Sequence, residues 1–274
     1  MACGNSQSGA RAPLCLIRYD TERTDAASME GFLATVVRVH RQHQIPVTLF
    51  CTGGALDARE QAFRGFYAEV RDDPLFDIQD HSYTHIGLGY NRGQEVAVLR
   101  ADYERSFASH ERVFGVRPIG ISVCGTSGKD GESIPFDATE KSRAEVDMLC
   151  DLGMRFINTK LTGHDGACEF TNYAAIGHPE VMGFASGPSD TGWLYRREHA
   201  GKPVEDPVAF ICGLTKEAAA TGRNFAPILH DWVAWMHGPD KELGHVVRLA
   251  ETARECGYEL RNHRQCYEDK ALWQ

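Results

Sequence analysis

Short apolar runs alternate with amphipathic helical stretches along nearly the whole 274-residue chain, and this alternation limits the fold more than any other feature. PLCLIRYD (13–20) precedes AASMEGFLATVVRVHRQH (26–43), where Met29, Phe32, Leu33, Val36, Val37 and His40 share one helical face. VTLFC (47–51) leads to a helix across 56–70. FDIQD (76–80) leads to a long helix within 92–114, with Val96, Leu99, Tyr103, Phe107 and Phe114 at helical spacing. PIGISV (118–123), a helix at 139–153 stopped by Gly153, RFINT (155–159) and VMGFAS (181–186) follow. Between the last two, GHDGACEFTNY (163–173) reads as irregular and is a candidate for substrate contacts. A helix within 205–222, APILH (226–230), a helix within 239–257 and YEL (258–260) close the series. Seven or eight βα units imply parallel strands with helical crossovers, either a doubly wound sheet or a (β/α) barrel. The number of short strands favours a barrel in one α/β domain over 13–262, with tails at 1–12 and 263–274.

In such barrels the loops after the strands converge on one mouth, so reactive groups are expected at the carboxyl ends of strands. Asp20 and Glu22 follow the first strand, His81 and His85 the third, and His230 and Asp231 the seventh. Two acids and three imidazoles brought together in this way are the material of a metal-assisted hydrolase. His81 and His85, four apart, can aim both rings at one ion, and a carboxylate from another strand would complete three protein ligands with a position open for water. Each feature also has an ordinary alternative. The histidines could cap a helix, the two acids could be a solvated strand end, and His230 could be a satisfied core residue. Ser82 stands where a zincin would have glutamate.

Charge and cysteine usage narrow the partners. A net charge of -9 argues against nucleic acid and against anionic membrane surfaces, both of which call for a basic face. No run reaches transmembrane length, and no signal-like segment opens the sequence. Nine cysteines without a CxxC pair suit reduced, buried thiols, so a cytoplasmic location is expected. A homo-oligomer stays open.

RYDTE, HSYTH about sixty residues later and PILH near the end resemble, in order and spacing, the successive motifs of the polysaccharide deacetylase family, the NodB-homology domain. VTLF-CTG (47–53) and ECGYEL (255–260) extend the resemblance, which runs from Pro13 to Leu260. It implies a distorted (β/α) barrel that removes N-acetyl groups, mostly from amino sugars, with zinc or a similar divalent metal. Carried over position by position, Asp20 would be the general base, Glu22, His81 and His85 the metal ligands, and His230 the general acid. Asp190, in SDTGW, would orient His230, and Trp193 would form a wall of the pocket. Tyr83, or a backbone N–H near Thr52 and Gly53, is a candidate for stabilising the oxyanion. Trp232 and Trp235 are candidates for stacking on a sugar ring.

Two departures matter. Asp-Thr-Glu stands where most members have Asp-Asp, and the family's arginine aligns with Ser122, with Arg117 nearby. Relatives with altered metal motifs hydrolyse cyclic amides or ureides such as allantoin, which is the alternative enzymatic reading. A non-catalytic sugar-binding relative is the third. Without an export signal, a small amide or a soluble N-acylated amino sugar or oligosaccharide is the expected substrate.

Overall fold

The computed structural model describes residues 11–88, 93–124, 138–160 and 167–274. Of the expected N-terminal tail, residues 1–10 lie outside the described residues, as do residues 163–166 of the stretch expected to be irregular. The first strand region divides into β1 (Leu14–Cys15) and β2 (Ile17–Thr21). Next comes α1 (Ala26–His43), capped by Asp25, whose side chain accepts from the Ser28 N–H, and closed by Gln44 in the left-handed region at φ 52°. Its predicted apolar face is buried. β3 (Val47–Cys51) is followed by two helices in place of the one expected, α2 (Gly53–Ala58) and α3 (Glu60–Val70), because the chain leaves helical geometry at Arg59. β4 (Phe76–Asp80), α4 (Val96–Phe114), β5 (Gly120–Ser122), α5 (Arg143–Asp151) and β6 (Phe156–Lys160) continue the alternation.

The next region departs from the pattern. β7 (Ala167–Cys168) and β8 (Phe170–Tyr173) occupy part of the stretch expected to be irregular, and β8 runs antiparallel to β9 (His178–Ser186). A small hairpin, β10 (Glu198–His199) with β11 (Lys202–Pro203), precedes α6 (Pro207–Ala220). β12 (Asn224–Phe225), β13 (Leu229–His230), α7 (Asp231–Met236), α8 (Gly244–Glu255) and β14 (Glu259–Leu260) follow. The chain ends in α9 (His263–Glu268) and a 3-10 turn.

The main sheet has eight strands in the order β13-β2-β3-β4-β5-β6-β9-β8, parallel except at β8. Among the described residues the ladder does not close into a continuous barrel. Isolated bridges from Gly187 to Ala226 and from Ser189 to Ile228 join the far end of β9 to the chain entering β13, so the distortion is concentrated at one seam. β1, β12, β14 and β7 form a second, four-stranded sheet. Close packing between β5 and β6 demands glycine at Gly120, where an added Cβ would lie 2.0 Å from the ring of its register partner Phe156.

Residues 263–274, expected as a tail, are folded against the barrel. Asn262 and Gln265 form a capping box, and His263 is fully buried, with its Nδ1 2.8 Å from Thr48 Oγ1 and its ring 4.4 Å from that of Phe184. No helix among the described residues is long and apolar enough to cross a membrane. The described cysteines are free thiols, most of them buried.

His40, on the buried face of α1, bonds to Tyr19 Oη at 3.1 Å and to the Ile45 carbonyl at 2.9 Å, and burial pushes its pKa down to about 4. The folded ring therefore refuses a proton that the unfolded chain accepts near pH 6.5, so its contribution to stability is complete above that pH and is lost as the pH falls toward 4. A His40→Leu variant is expected to lose about 2 kcal/mol less unfolding free energy than the wild type between pH 7 and pH 5, measured by urea titration at both pH values.

Candidate active site

Parallel strands deliver their carboxyl ends to one rim, and register fixes which ends are neighbours. Asp20 is the register partner of His230 on β13, and Asp80, at the end of β4, pairs with Ile121 on β5. His81 follows Asp80 directly. Its backbone N–H donates to the Cys51 carbonyl at 3.0 Å, and its ring is fully buried. HSYTH is a turn rather than a helix, because Ser82 and His85 both take the left-handed conformation at φ 59°. Two carboxylates hold that turn. Asp80 accepts from the Ser82 N–H at 2.7 Å, and Asp102 accepts from the Tyr83 N–H at 2.7 Å and from the Thr84 hydroxyl at 2.6 Å. Neither acid is among the residues that the motifs single out, and no local sequence pattern marks Asp102.

Glu22 reaches the two histidines directly. Its Oε1 lies 3.4 Å from His81 Nε2 and 3.1 Å from His85 Nε2. A tetrahedral ion with bonds of about 2.05 Å separates its ligand atoms by roughly 3.3 Å, so this spacing fits one. The protonation geometry fits as well. His81 Nδ1 is 2.9 Å from the Ser122 carbonyl, which fixes the proton on that nitrogen, and the buried Nε2 has no hydrogen-bond partner. Cys124 lies on the other edge of the ring, its sulfur 3.5 Å from Nδ1; with His81 and His85 it forms a second candidate set, its ligand atoms within 4.8 Å of one another, but one on the side of the nitrogen that faces the Ser122 carbonyl. Burial would raise the Glu22 pKa, but the nearness of the His81 and His85 rings and the charge of His230 outweigh it and hold the carboxyl far below its usual range.

Asp20 and His230 flank this trio. Asp20 Oδ2 lies 3.7 Å from His81 Nε2 and 3.9 Å from His230 Nε2, and His230 Nε2 lies 3.9 Å from Glu22 Oε1. Asp190 is fully buried and grips His230 twice, with Oδ1 2.6 Å from Nδ1 and Oδ2 accepting the backbone N–H at 2.8 Å. Burial works to lower the His230 pKa, but the charge and hydrogen bond of Asp190, with the charges of Asp20 and Glu22, raise it to about 9. Asp231, buried beside it, accepts from the backbone N–H groups of Glu22 at 3.1 Å and Arg23 at 3.0 Å, and so sets the path of the chain after β2.

The arginine is neither of the expected pair. Arg117 bonds to the Leu152 carbonyl and Glu111 at the surface, and Ser122 carries no charge. Arg18, two residues before Asp20 on the same strand face, is buried and pairs with the Asp20 carboxylate. It also donates to Ser122 Oγ at 2.7 Å and Ser186 Oγ at 3.2 Å. Burial alone would raise the Asp20 pKa, but Arg18, then His81 and His230, pull it below its usual value. The signal in the sequence was the spacing of two in RYD, which puts a cation and an anion on one face of a strand.

Four candidates lie away from the acids and rings or are already engaged. Tyr83 turns outward, its hydroxyl donating to Asp57 at 3.0 Å and accepting from Arg105 at 2.6 Å, so it faces α2 and α4 and not the acids and rings. The N–H groups of Thr52 and Gly53 already donate to the carbonyls of Thr21 and Ser82, so neither is free for an oxyanion. Trp193 is fully buried in the main core, against Phe210 of α6, and offers no wall to a ligand. Trp235 likewise packs on α1, where a Cβ at Gly31 would meet its ring at 2.4 Å. Trp232 alone of the three reaches the rim, its ring centre 6.2 Å from that of His230.

Comparison with solved structures matches this architecture across nearly the whole chain. A Mycobacterium smegmatis protein assigned to the polysaccharide deacetylases superposes with a TM-score of 0.66 at 13% identity, over 95% of this chain and 91% of that one. The fold is that of the polysaccharide deacetylases. The allantoinase Puue superposes with a TM-score of 0.64 at 13% identity, over 94% of this chain and 90% of that one. A CE4 family pseudoenzyme from Bacillus anthracis gives 0.54 at 10% identity, over 93% and 66%. No family model and no curated protein matches the sequence.

Proposed function

We propose that the protein is a metal-dependent amide hydrolase that removes an N-acyl group, in the first instance N-acetyl, from a soluble amino sugar or short oligosaccharide. The observation that carries this reading is the spacing of Glu22 Oε1 from His81 Nε2 and His85 Nε2, 3.4 and 3.1 Å, around a buried nitrogen with no other partner. A divalent ion held by these three residues, with zinc expected from the mixed nitrogen and oxygen donors, would polarise the amide oxygen and lower the pKa of a bound water.

The chain's own groups account for the proton transfers. Asp20, kept ionised by Arg18, takes the proton of the attacking water at Oδ2. His230, kept protonated by Asp190, donates from Nε2 to the departing nitrogen, which would otherwise leave as a poor amide anion. Each transfer contributes about 10²- to 10⁴-fold to the rate. Arg18 is therefore a positioning residue. Arg18→Met is expected to move the acidic limb of the kcat/KM profile to higher pH, because Asp20 loses the charge that favours its ionised form. It is also expected to cost about 3–5 kcal/mol of stability as a broken buried ion pair. An unshifted acidic limb would remove Arg18 from this role.

Amine release from N-acetylglucosamine and its short oligomers, assayed with and without added zinc, tests the reading. Zinc-dependent release supports it. Turnover of a cyclic ureide alone would replace it with the allantoinase-like alternative, and metal-free protein inert toward both would favour a binding protein.

A further inference from the structure

One cation on this rim makes no ion pair among the described residues, although the exposed Asp25 is near enough to feel its charge. Arg23 follows Glu22 in the chain, and its backbone N–H is held by Asp231 Oδ2 at 3.0 Å. Its guanidinium lies over the Trp232 ring at 5.2 Å. Among the described residues no carboxylate forms an ion pair with it, and its Nε is buried without a hydrogen-bond partner. Arg18, Arg41, Arg112 and Arg261, by contrast, are each paired with an aspartate. Two other partly buried arginines without an ion pair among the described residues, Arg59 and Arg155, donate to the Thr24 and Met154 carbonyls, whereas the Arg23 Nε donates to nothing. Such a group carries a desolvation cost that an anion would offset.

The surroundings place that anion beside the proposed chemistry. The Trp232 ring centre is 6.2 Å from that of His230 and 5.2 Å from that of Tyr195. An aromatic floor, a cation and the proposed proton donor therefore adjoin. The ring under the guanidinium fixes its plane, and its fork of N–H donors matches a carboxylate in two parallel bonds.

We infer that Arg23 and Trp232 form an anion subsite at the rim, and that the substrate is an N-acylated molecule bearing a carboxylate. The inference rests on the hydrolase reading for the reacting group, but not for the anion. Its test compares N-acetylglucosamine, its C6 carboxylate (the uronate) and its 6-phosphate on zinc-loaded wild type, Arg23→Met and Arg23→Lys. Amine release is measured together with binding by tryptophan fluorescence. The uronate is expected to show a KM and Kd at least tenfold below those of the neutral sugar and below those of the phosphate. Arg23→Met should erase that preference, and Arg23→Lys should restore part of it, because a point charge lacks the planar fork.

Equal affinity for uronate and neutral sugar, a preference that survives in Arg23→Met, or a preference for the phosphate over the uronate would overturn the inference. Equal affinity with amine released from both sugars overturns only the subsite and leaves the hydrolase reading standing. Uronate binding that depends on Arg23, without amine release from any of the three, supports the subsite and overturns the hydrolase reading instead.

Discussion

Asp20→Asn is expected to lower amide hydrolysis by about 10²- to 10⁴-fold while the protein keeps its metal. Asparagine preserves the shape of the side chain but cannot accept the proton of the attacking water. Asp20 has one oxygen paired with Arg18 and the other 3.7 Å from His81 Nε2, and it forms no ion pair with His85, which Glu22 reaches at 3.1 Å, so it is assigned a place beside the ligand trio. Rate loss should therefore separate from metal loss, in parallel measurements of kcat/KM and of metal per chain on the same preparation. Arg18 would be left facing a neutral amide, so the variant should also unfold more easily. A metal-loaded Asn variant with near wild-type turnover would remove Asp20 from the role of base.

Asp190→Asn should produce the second large effect, and its sign follows from the proton it controls. His230 must carry a proton to act as an acid, and with Asp190 in place it keeps one up to about pH 9. Without that charge, burial dominates and draws the pKa down, so the alkaline limb of the kcat/KM profile should move to lower pH. At pH 8 the loss should approach the 10²- to 10⁴-fold worth of a general acid, and at pH 6 it should be much smaller. The measurement is the full pH profile of both proteins. A loss of equal size at every pH would mean that Asp190 serves the fold and not the proton.

Much of this site was legible in the sequence because strand period and chain order are sequence properties. The alternation of strands and helices placed Asp20, Glu22, His81, His85 and His230 at strand ends, and parallel pairing did the rest. Side-chain direction after a strand was not legible. Tyr83 points away from its histidine neighbours because Ser82 and His85 adopt left-handed backbone, a choice that the spacing of HSYTH does not encode. Trp193 is drawn into the core by a π-helical turn at Thr191–Arg196, where the sequence shows only a tryptophan following an acid. Arg18 was legible only in part. Its pairing with Asp20 follows from a spacing of two on one strand face, but Ser122 and Ser186, which also hold the guanidinium, lie 104 and 168 residues away. α9 did carry a local signal, Asn262 and Gln265 at capping-box spacing, which outweighs its position near the end of the chain.

The central claim is that one divalent ion sits between Glu22, His81 and His85. Zinc content of the purified wild type, His81→Ala and His85→Ala proteins, by mass spectrometry after dialysis and with folding followed by circular dichroism, tests it most directly. About one ion per wild-type chain is expected, lost in both variants while the helices and strands persist. Folded variants that keep the wild-type zinc stoichiometry would contradict it.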